Sequence, residues 1–270
     1  MLADLPRRAR AGLRPRLVPL RGSRPLKQWR YVGVYGPELM ICAGLVRVAG
    51  LPQAFWAVWD RSARVLHERT QPGRGGVELP DGGARVAAGD VHVALALEPA
   101  GEPVEVLSRH GRAPIWTRKL PVRARGTATV GGRRVAVDAA GIVDDSAGWH
   151  ARETAWAWSA GVGTSAAGEP VAWNLVDGLH DAPGVSERTV WVAGRERQVG
   201  PARFDADLAR VSAGELDLRF SAEAERARRD RIGPFASDYR QPFGTFAGGL
   251  PGGIELAEGF GVMERHAARW

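Results

Sequence analysis

The stretch WRYVGVYGPELMICAGLVRVAGLPQAFWAVWDRSARVLHERT, Trp29–Thr70, decides the fold. It is dense in β-branched and aromatic residues, and Gly36-Pro37 and Gly50-Leu51-Pro52 break it at short intervals. Such a run reads as four successive strands joined by tight turns. The same grammar extends outward. GDVHVALALE (Gly89–Glu98) alternates, with Val91, Val93, Leu95 and Leu97 on one face. TATVGGRRVAVD (Thr127–Asp138) places Gly131-Gly132 between two alternating runs, and TVWVAGRERQVG (Thr189–Gly200) repeats the device around Ala193-Gly194. Both are hairpin signals. Only SAEAERARRDR (Ser221–Arg231) predicts a short surface helix or a flexible charged excursion. The pattern predicts an all-β barrel or sandwich. A seam at Asp138–Asp145 divides the chain into an arm (1–27), a first β domain (28–140) and a tryptophan-rich second one (141–270).

Charge sharpens that division. The formal charge is +7, yet residues 1–30 hold nine basic side chains against Asp4, which is +8, so the other 240 residues sum to −1. The body is balanced, and this argues against a specific nucleic-acid partner. The basic arm is broken by Pro6, Pro15, Pro19 and Pro25. It is either a solvated tail or, through residues 1–30, a nonspecific, salt-sensitive contact with anionic lipid at a membrane surface or with nucleic-acid phosphate. No apolar run reaches the length of a membrane helix, the N-terminus lacks the apolar core of a secretory signal, and Cys42 is the single cysteine. A cytoplasmic protein is expected. All basic residues but Lys27 and Lys119 are arginines, a skew that reads as genome composition.

Candidate chemistry concentrates in DDSAGWHARETAWAWSAGVGTSAAGEPVAWN (Asp144–Asn174), where Trp149, Trp156, Trp158 and Trp173 lie among His150, Arg152, Glu153 and Asn174. Large amphipathic rings beside ionisable groups either wall an apolar ligand pocket or fill a core with charges on the wet face. Alternation from His150 puts Arg152, Thr154, Trp156 and Trp158 on one face and Glu153 on the other. A buried Glu153 would hold its proton near neutrality, as a general acid requires. In the loop that follows, His180 stands beside Asp177 and Asp181, a proton carrier or a hydrogen-bonding turn. The six histidines are scattered without H-x-H or H-x-x-x-H spacing, so no metal site is expected.

The last segment opens with QPFGTFAGGLPGG, whose Gln241 is a candidate ligand contact. It ends in an alternating strand with Leu256, Glu258, Phe260, Val262, Glu264 and His266 on one face. If that face points into a barrel, Glu264 and His266, about 7 Å apart along the strand, form an acid–base pair; if the barrel ends there, they are rim residues. Dinucleotide, phosphate-loop and nucleophile-elbow motifs are missing.

Together, DDSAGWHARETAWAWSAGVGT, VAWNLVDG, SERTVWV, QPFGTFAGGLPGG and AEGFGVMERHAARW resemble a bacterial family known as domain of unknown function 2804. More distantly, RETAWAWSAGVG…GEPVAWNLVDG is similar to the pattern of carotenoid hydratase-like, lipocalin-type proteins. Arg152 and Glu153 stand at the positions of that pattern's [RH]-E pair, with Ala151 where an Asp precedes it. The resemblance implies two lipocalin-like antiparallel β-barrels, or strongly curved sheets, packed together around a hydrophobic ligand site.

Three readings follow. The first is a cofactor-independent hydratase, cyclase or isomerase acting on a lipid, isoprenoid or polyketide-like molecule. In it Glu153 or Glu264 donates a proton, the tryptophans stabilise positive charge, and His150 or His266 manages the proton. The second is a non-catalytic lipocalin-like carrier or lipid-binding module, in which Trp156, Trp158, Trp173, Asn174 and Gln241 hold and orient the ligand. The third is a purely structural β protein.

Overall fold

The computed structural model describes residues 20–21, 24–110, 113–182, 185–233 and 235–269. Most of the basic arm, residues 1–19, lies outside them. Every regular element among the described residues is a strand. A two-strand ribbon, β1 (Leu20–Arg21) and β2 (Arg24–Pro25), leads into the first sheet: β3 (Lys27–Tyr35), β4 (Leu39–Val48), β5 (Leu51–Asp60), β6 (Val65–Pro72), β7 (Val77–Glu78), β8 (Gly83–Ala88), β9 (Val91–Pro99), β10 (Val104–His110), β11 (Ala113–Val130) and β12 (Arg133–Gly148). The second sheet comprises β13 (Glu153–Ser165), β14 (Pro170–Asp177), β17 (Thr189–Val192), β18 (Arg195–Gln198), β19 (Arg203–Phe204), β20 (Arg210–Ala213), β21 (Leu216–Ile232), β22 (Phe235–Leu250) and β23 (Ile254–Arg269). Between β14 and β17, β15 (Asp181–Ala182) and β16 (Val185–Ser186) form a small hairpin.

The sheets repeat one topology. The first runs β6-β5-β4-β3-β12-β11-β9-β8-β7, with β10 on β11; the second runs β18-β17-β14-β13-β23-β22-β21-β20-β19. In each, the chain starts on a central strand, steps outward to one edge, crosses to the other and returns to pair its last strand with its first. Each sheet is therefore a strongly curved half-barrel, a barrel-like meander left open between β6 and β7 or between β18 and β19. The two-glycine turn at Gly131-Gly132 and the Ala193-Gly194 turn both take positive φ, as two-residue hairpins require.

Two expectations change. Ser221–Arg231 is the middle of β21, paired with β22 from Asp217↔Gly249 to Ile232↔Phe235. Pairing along its full length, with a register shift between Ala222 and Ala224, overrides the local helical composition. The chain passes from one sheet to the other at 149–152, because β12 runs unbroken through the stretch Asp138–Asp145.

Period-two alternation sorts the core into three layers. Inside the first half-barrel lie aliphatic residues such as Val32, Val34, Ile41, Val93, Leu95 and Val122; inside the second lie Trp173, Leu175, Leu216, Leu218, Phe246 and Met263. The third layer is shared: Tyr31, Tyr35, Met40 and Trp59 from the first sheet meet Trp158, Val162, Phe243 and Phe260 from the second. Glycines make room for this aromatic layer. A Cβ on Gly33 would lie 2.1 Å from the Tyr35 hydroxyl, and one on Gly44 would lie 2.2 Å from the Phe55 ring. Among the described residues no helix is long and apolar enough to cross a membrane.

Candidate functional site

Apolar side chains pack inside both half-barrels, and a cavity opens between the two sheets. It measures about 330 Å³, at the lower end of the usual range for small-molecule sites. The first sheet supplies Tyr31, Phe55, Lys119 and Asp144 to its wall; the second supplies Trp156, Trp158, Arg226, Tyr239, Glu264 and His266. Aromatic faces thus surround a small set of ionisable groups.

Glu264 is the most closely held of these. It is buried on β23, where Trp156 Nε1 donates to Oε1 at 2.8 Å and Gln241 Nε2 donates to Oε2 at 2.9 Å. The Tyr239 hydroxyl also reaches it, while accepting from Arg226 Nη1 at 2.9 Å. Burial pushes the carboxyl up, and these donors and the Arg226 guanidinium pull it down. The balance is a pKa of about 7. Two residues along the strand, His266 hydrogen-bonds Ser237 Oγ through Nε2 at 2.9 Å and packs against Trp156 and Tyr239, with centroids at 4.4 and 5.3 Å. Burial, reinforced by Lys27, lowers its pKa to about 4, so the ring is neutral at ordinary pH.

Across the cavity, Lys119 Nζ lies 2.5 Å from Asp144 Oδ2 and 3.1 Å from Glu187 Oε1. Burial opposes the ammonium, but the two carboxylates outweigh it and raise its pKa. One cation cannot neutralise two anions. Burial and the Glu187 charge therefore raise Asp144 despite Lys119. Among the described residues, Asp144 Oδ1 and Glu187 Oε2 have no hydrogen-bond partner. Arg226, itself buried, is fixed by Glu68 (3.1 Å), Thr70 and Tyr239, and lies over the Phe55 ring at 4.5 Å.

Of the residues singled out from the sequence, Trp156, Trp158, Glu264 and His266 line the cavity, as does His180, whose Nδ1 meets Ser108 Oγ at 2.9 Å. Gln241 and Asn174 are buried one layer behind. Gln241 holds Glu264, while Asn174 Oδ1 accepts from Trp158 Nε1 at 2.8 Å and its Nδ2 donates to the Glu187 carbonyl. His150 is buried against Trp29 and edge-on to His180, outside the cavity lining.

Three residues fall elsewhere. Trp173 precedes Asn174 on β14 and so faces the opposite way, into the second half-barrel, where its indole donates to Ser159 Oγ and meets Phe246. Arg152 is exposed in the passage between the sheets. Glu153 opens β13 at a surface position, 73% exposed and ion-paired with Arg269. The alternation that turns Trp156 and Trp158 inward turns Glu153 outward. On β23, Phe260, Val262, Glu264 and His266 share the cavity-side face, but Leu256 joins the second interior because the pairing shifts between Thr164 and Ser165.

The sequence reading missed Lys119, Asp144, Glu187, Arg226 and Tyr239. One signal was present: Lys27 and Lys119, the two lysines in an arginine-rich chain, both line this cavity.

The frame occurs in solved structures. A protein of Nitrosomonas europaea assigned as ATTH aligns at 16% identity with a TM-score of 0.58, over 92% of this chain and 98% of its own. Kievitone hydratase from Nectria haematococca aligns at 11% identity with a TM-score of 0.55, over 88% of each chain. At such identities the likeness is one of fold. No curated protein matches the sequence. The family model described as Domain of unknown function (DUF2804) matches residues 90–270, and the chain belongs to that family.

Proposed function

We propose that the cavity binds a hydrophobic small molecule of lipid, isoprenoid or polyketide type, and that Glu264 protonates it in a cofactor-independent hydratase, cyclase or isomerase reaction. The observation that carries this reading is a buried glutamic acid with a pKa of about 7 in an aromatic-walled cavity. At neutral pH a good share of the protein holds that proton and can give it to an alkene or carbonyl carbon. Proton transfer leaves a carboxylate, which Trp156 Nε1 and Gln241 Nε2 already address, so the donors gain strength as charge develops. The faces of Trp156, Trp158 and Phe55 suit the cation formed on the ligand. In a hydration, the neutral His266 ring takes the proton released by the attacking water, and the two groups exchange it to close the cycle. Kievitone hydratase shares the frame.

Native mass spectrometry and solvent extraction of protein purified from its own host will identify a retained molecule. Incubation with the wild type should convert that molecule, and Glu264→Gln should still bind it without converting it. Binding without conversion by either protein contradicts the catalytic role and leaves a carrier; no ligand in any preparation contradicts both.

A further inference from the structure

Three large apolar side chains are exposed among the described residues: Leu51 at 76%, Phe235 at 49% and Val65 at 45%. Two of the three stand at the cavity mouth. Leu51 sits on the β4–β5 turn opposite Val48, which lines the cavity, and Phe235 sits on the β21–β22 turn and lines it directly. One tip belongs to each sheet. They are held at the same end of the molecule, because Arg228 Nη1 of β21 donates to the Thr70 carbonyl and Arg226 Nη2 to its hydroxyl, on the strand paired with β5.

The surroundings of the tips are cationic. Residues 20–26, 45–54 and 227–238 together hold six arginines, with Asp230 and Asp238 as the acids. Arg47 and Arg231 are exposed beside the two apolar tips. The ribbon β1–β2, which carries Arg21 and Arg24, runs directly into Lys27 on the cavity wall.

We infer that the cavity mouth is a docking surface for an anionic lipid bilayer, with Leu51 and Phe235 entering the headgroup–acyl boundary and the flanking arginines meeting lipid phosphates. Apolar side chains ringed by cations are what such an interface recognises, and neither signal alone gives stable attachment. The inference deepens the proposed function by naming where the ligand comes from. An apolar molecule dissolved in the bilayer reaches the Trp156–Trp158 wall by passing between the two tips, without crossing water.

The test is co-sedimentation of the full chain with vesicles of phosphatidylcholine alone and of phosphatidylcholine mixed with phosphatidylglycerol, at low and high salt. The wild type should partition onto the mixed vesicles, less at high salt. Leu51→Asp with Phe235→Asp should lower that partitioning roughly tenfold or more, while Val65→Asp, away from the mouth, should leave it unchanged. Both tip positions are exposed, so folding should persist, and fluorescence of anilinonaphthalene sulfonate taken up from solution reports whether the cavity still binds an apolar probe. Wild-type partitioning that survives the double substitution overturns the inference, as does no partitioning onto either vesicle, or equal loss with Val65→Asp. Dye uptake without vesicle binding sinks the docking surface and spares the ligand cavity. Vesicle binding without dye uptake does the reverse.

Discussion

The two half-barrel interiors and the layer between them are built from the same strands, and they differ in what those strands present. Buried faces turned into a half-barrel carry aliphatic and aromatic side chains packed together. Faces turned toward the other sheet carry Glu264, Asp144, Lys119, Glu187, Arg226 and His266 among tyrosines and tryptophans. Burying so many ionisable groups is costly unless each is paired. Their concentration in one layer, beside a cavity, supports the proposed division: stability in the half-barrels, chemistry in the seam.

Substitutions separate the two roles, and the largest effects come first. Trp173→Ala, inside the second half-barrel, should cost about 3–5 kcal/mol in urea unfolding and leave apolar-probe affinity unchanged in whatever fraction stays folded. Lys119→Met, in the seam, should cost a similar ~3–5 kcal/mol for another reason: it strands Asp144 and Glu187 as buried anions. Adding Asp144→Asn and Glu187→Gln should then recover most of the loss. If the triple variant recovers nothing, packing rather than charge holds that wall.

Next in size is the pH dependence of Glu264 and His266. The Glu264 pKa rises on folding from 4.5 to about 7, so its contribution to stability is lost as pH rises through that window. The His266 pKa falls from 6.5 to about 4, so its contribution is lost as pH drops. Between pH 4.5 and 6.5 the folded pair holds its proton on the carboxyl and the unfolded pair holds it on the imidazole, so the slopes nearly cancel. Glu264→Gln removes one of them. Relative to wild type, that variant should lose up to about 3 kcal/mol as pH falls from 6.5 to 4, read from urea midpoints. Parallel pH profiles for the two proteins would remove the pair from the account.

Smaller effects sharpen the same contrast. Trp156 is half-buried on the cavity wall, so Trp156→Ala should cost about 1–2 kcal/mol, well below a core tryptophan, while weakening apolar-probe binding in fluorescence titrations. Glu153→Gln should stay within about 0.5 kcal/mol of wild type and leave probe binding untouched, since its ion pair with Arg269 is exposed.

How much of this was legible in the sequence follows from which physics is local. Alternation and two-residue turns are local, so the strands from Trp29 to Thr70 and the Gly131-Gly132 hairpin are readable directly. Glu264 and His266 were legible for the same reason, as ionisable groups on the apolar face of one alternating strand. The repeated topology was not, because it is a pattern of pairings that no short motif spells. Nor was the triad of Lys119, Asp144 and Glu187, whose members come from β11, β12 and the approach to β17. Arg226 lay hidden in a run whose charge density suggested a helix, and only the proximity of Glu68 and Thr70 on β6 shows it as a buried cation. Trp173 and Glu153 mark the limit of composition: a tryptophan or a glutamate in a rich stretch means little until the strand's facing is fixed.

The claim that the seam holds a proton near neutrality is tested most directly by titrating the Glu264 carboxyl, using the infrared difference between wild type and Glu264→Gln from pH 4 to 9. A protonated-carboxyl band that disappears with a midpoint close to 7 is the predicted result. A band already gone by pH 5, the behaviour of an ordinary solvated glutamate, would contradict it.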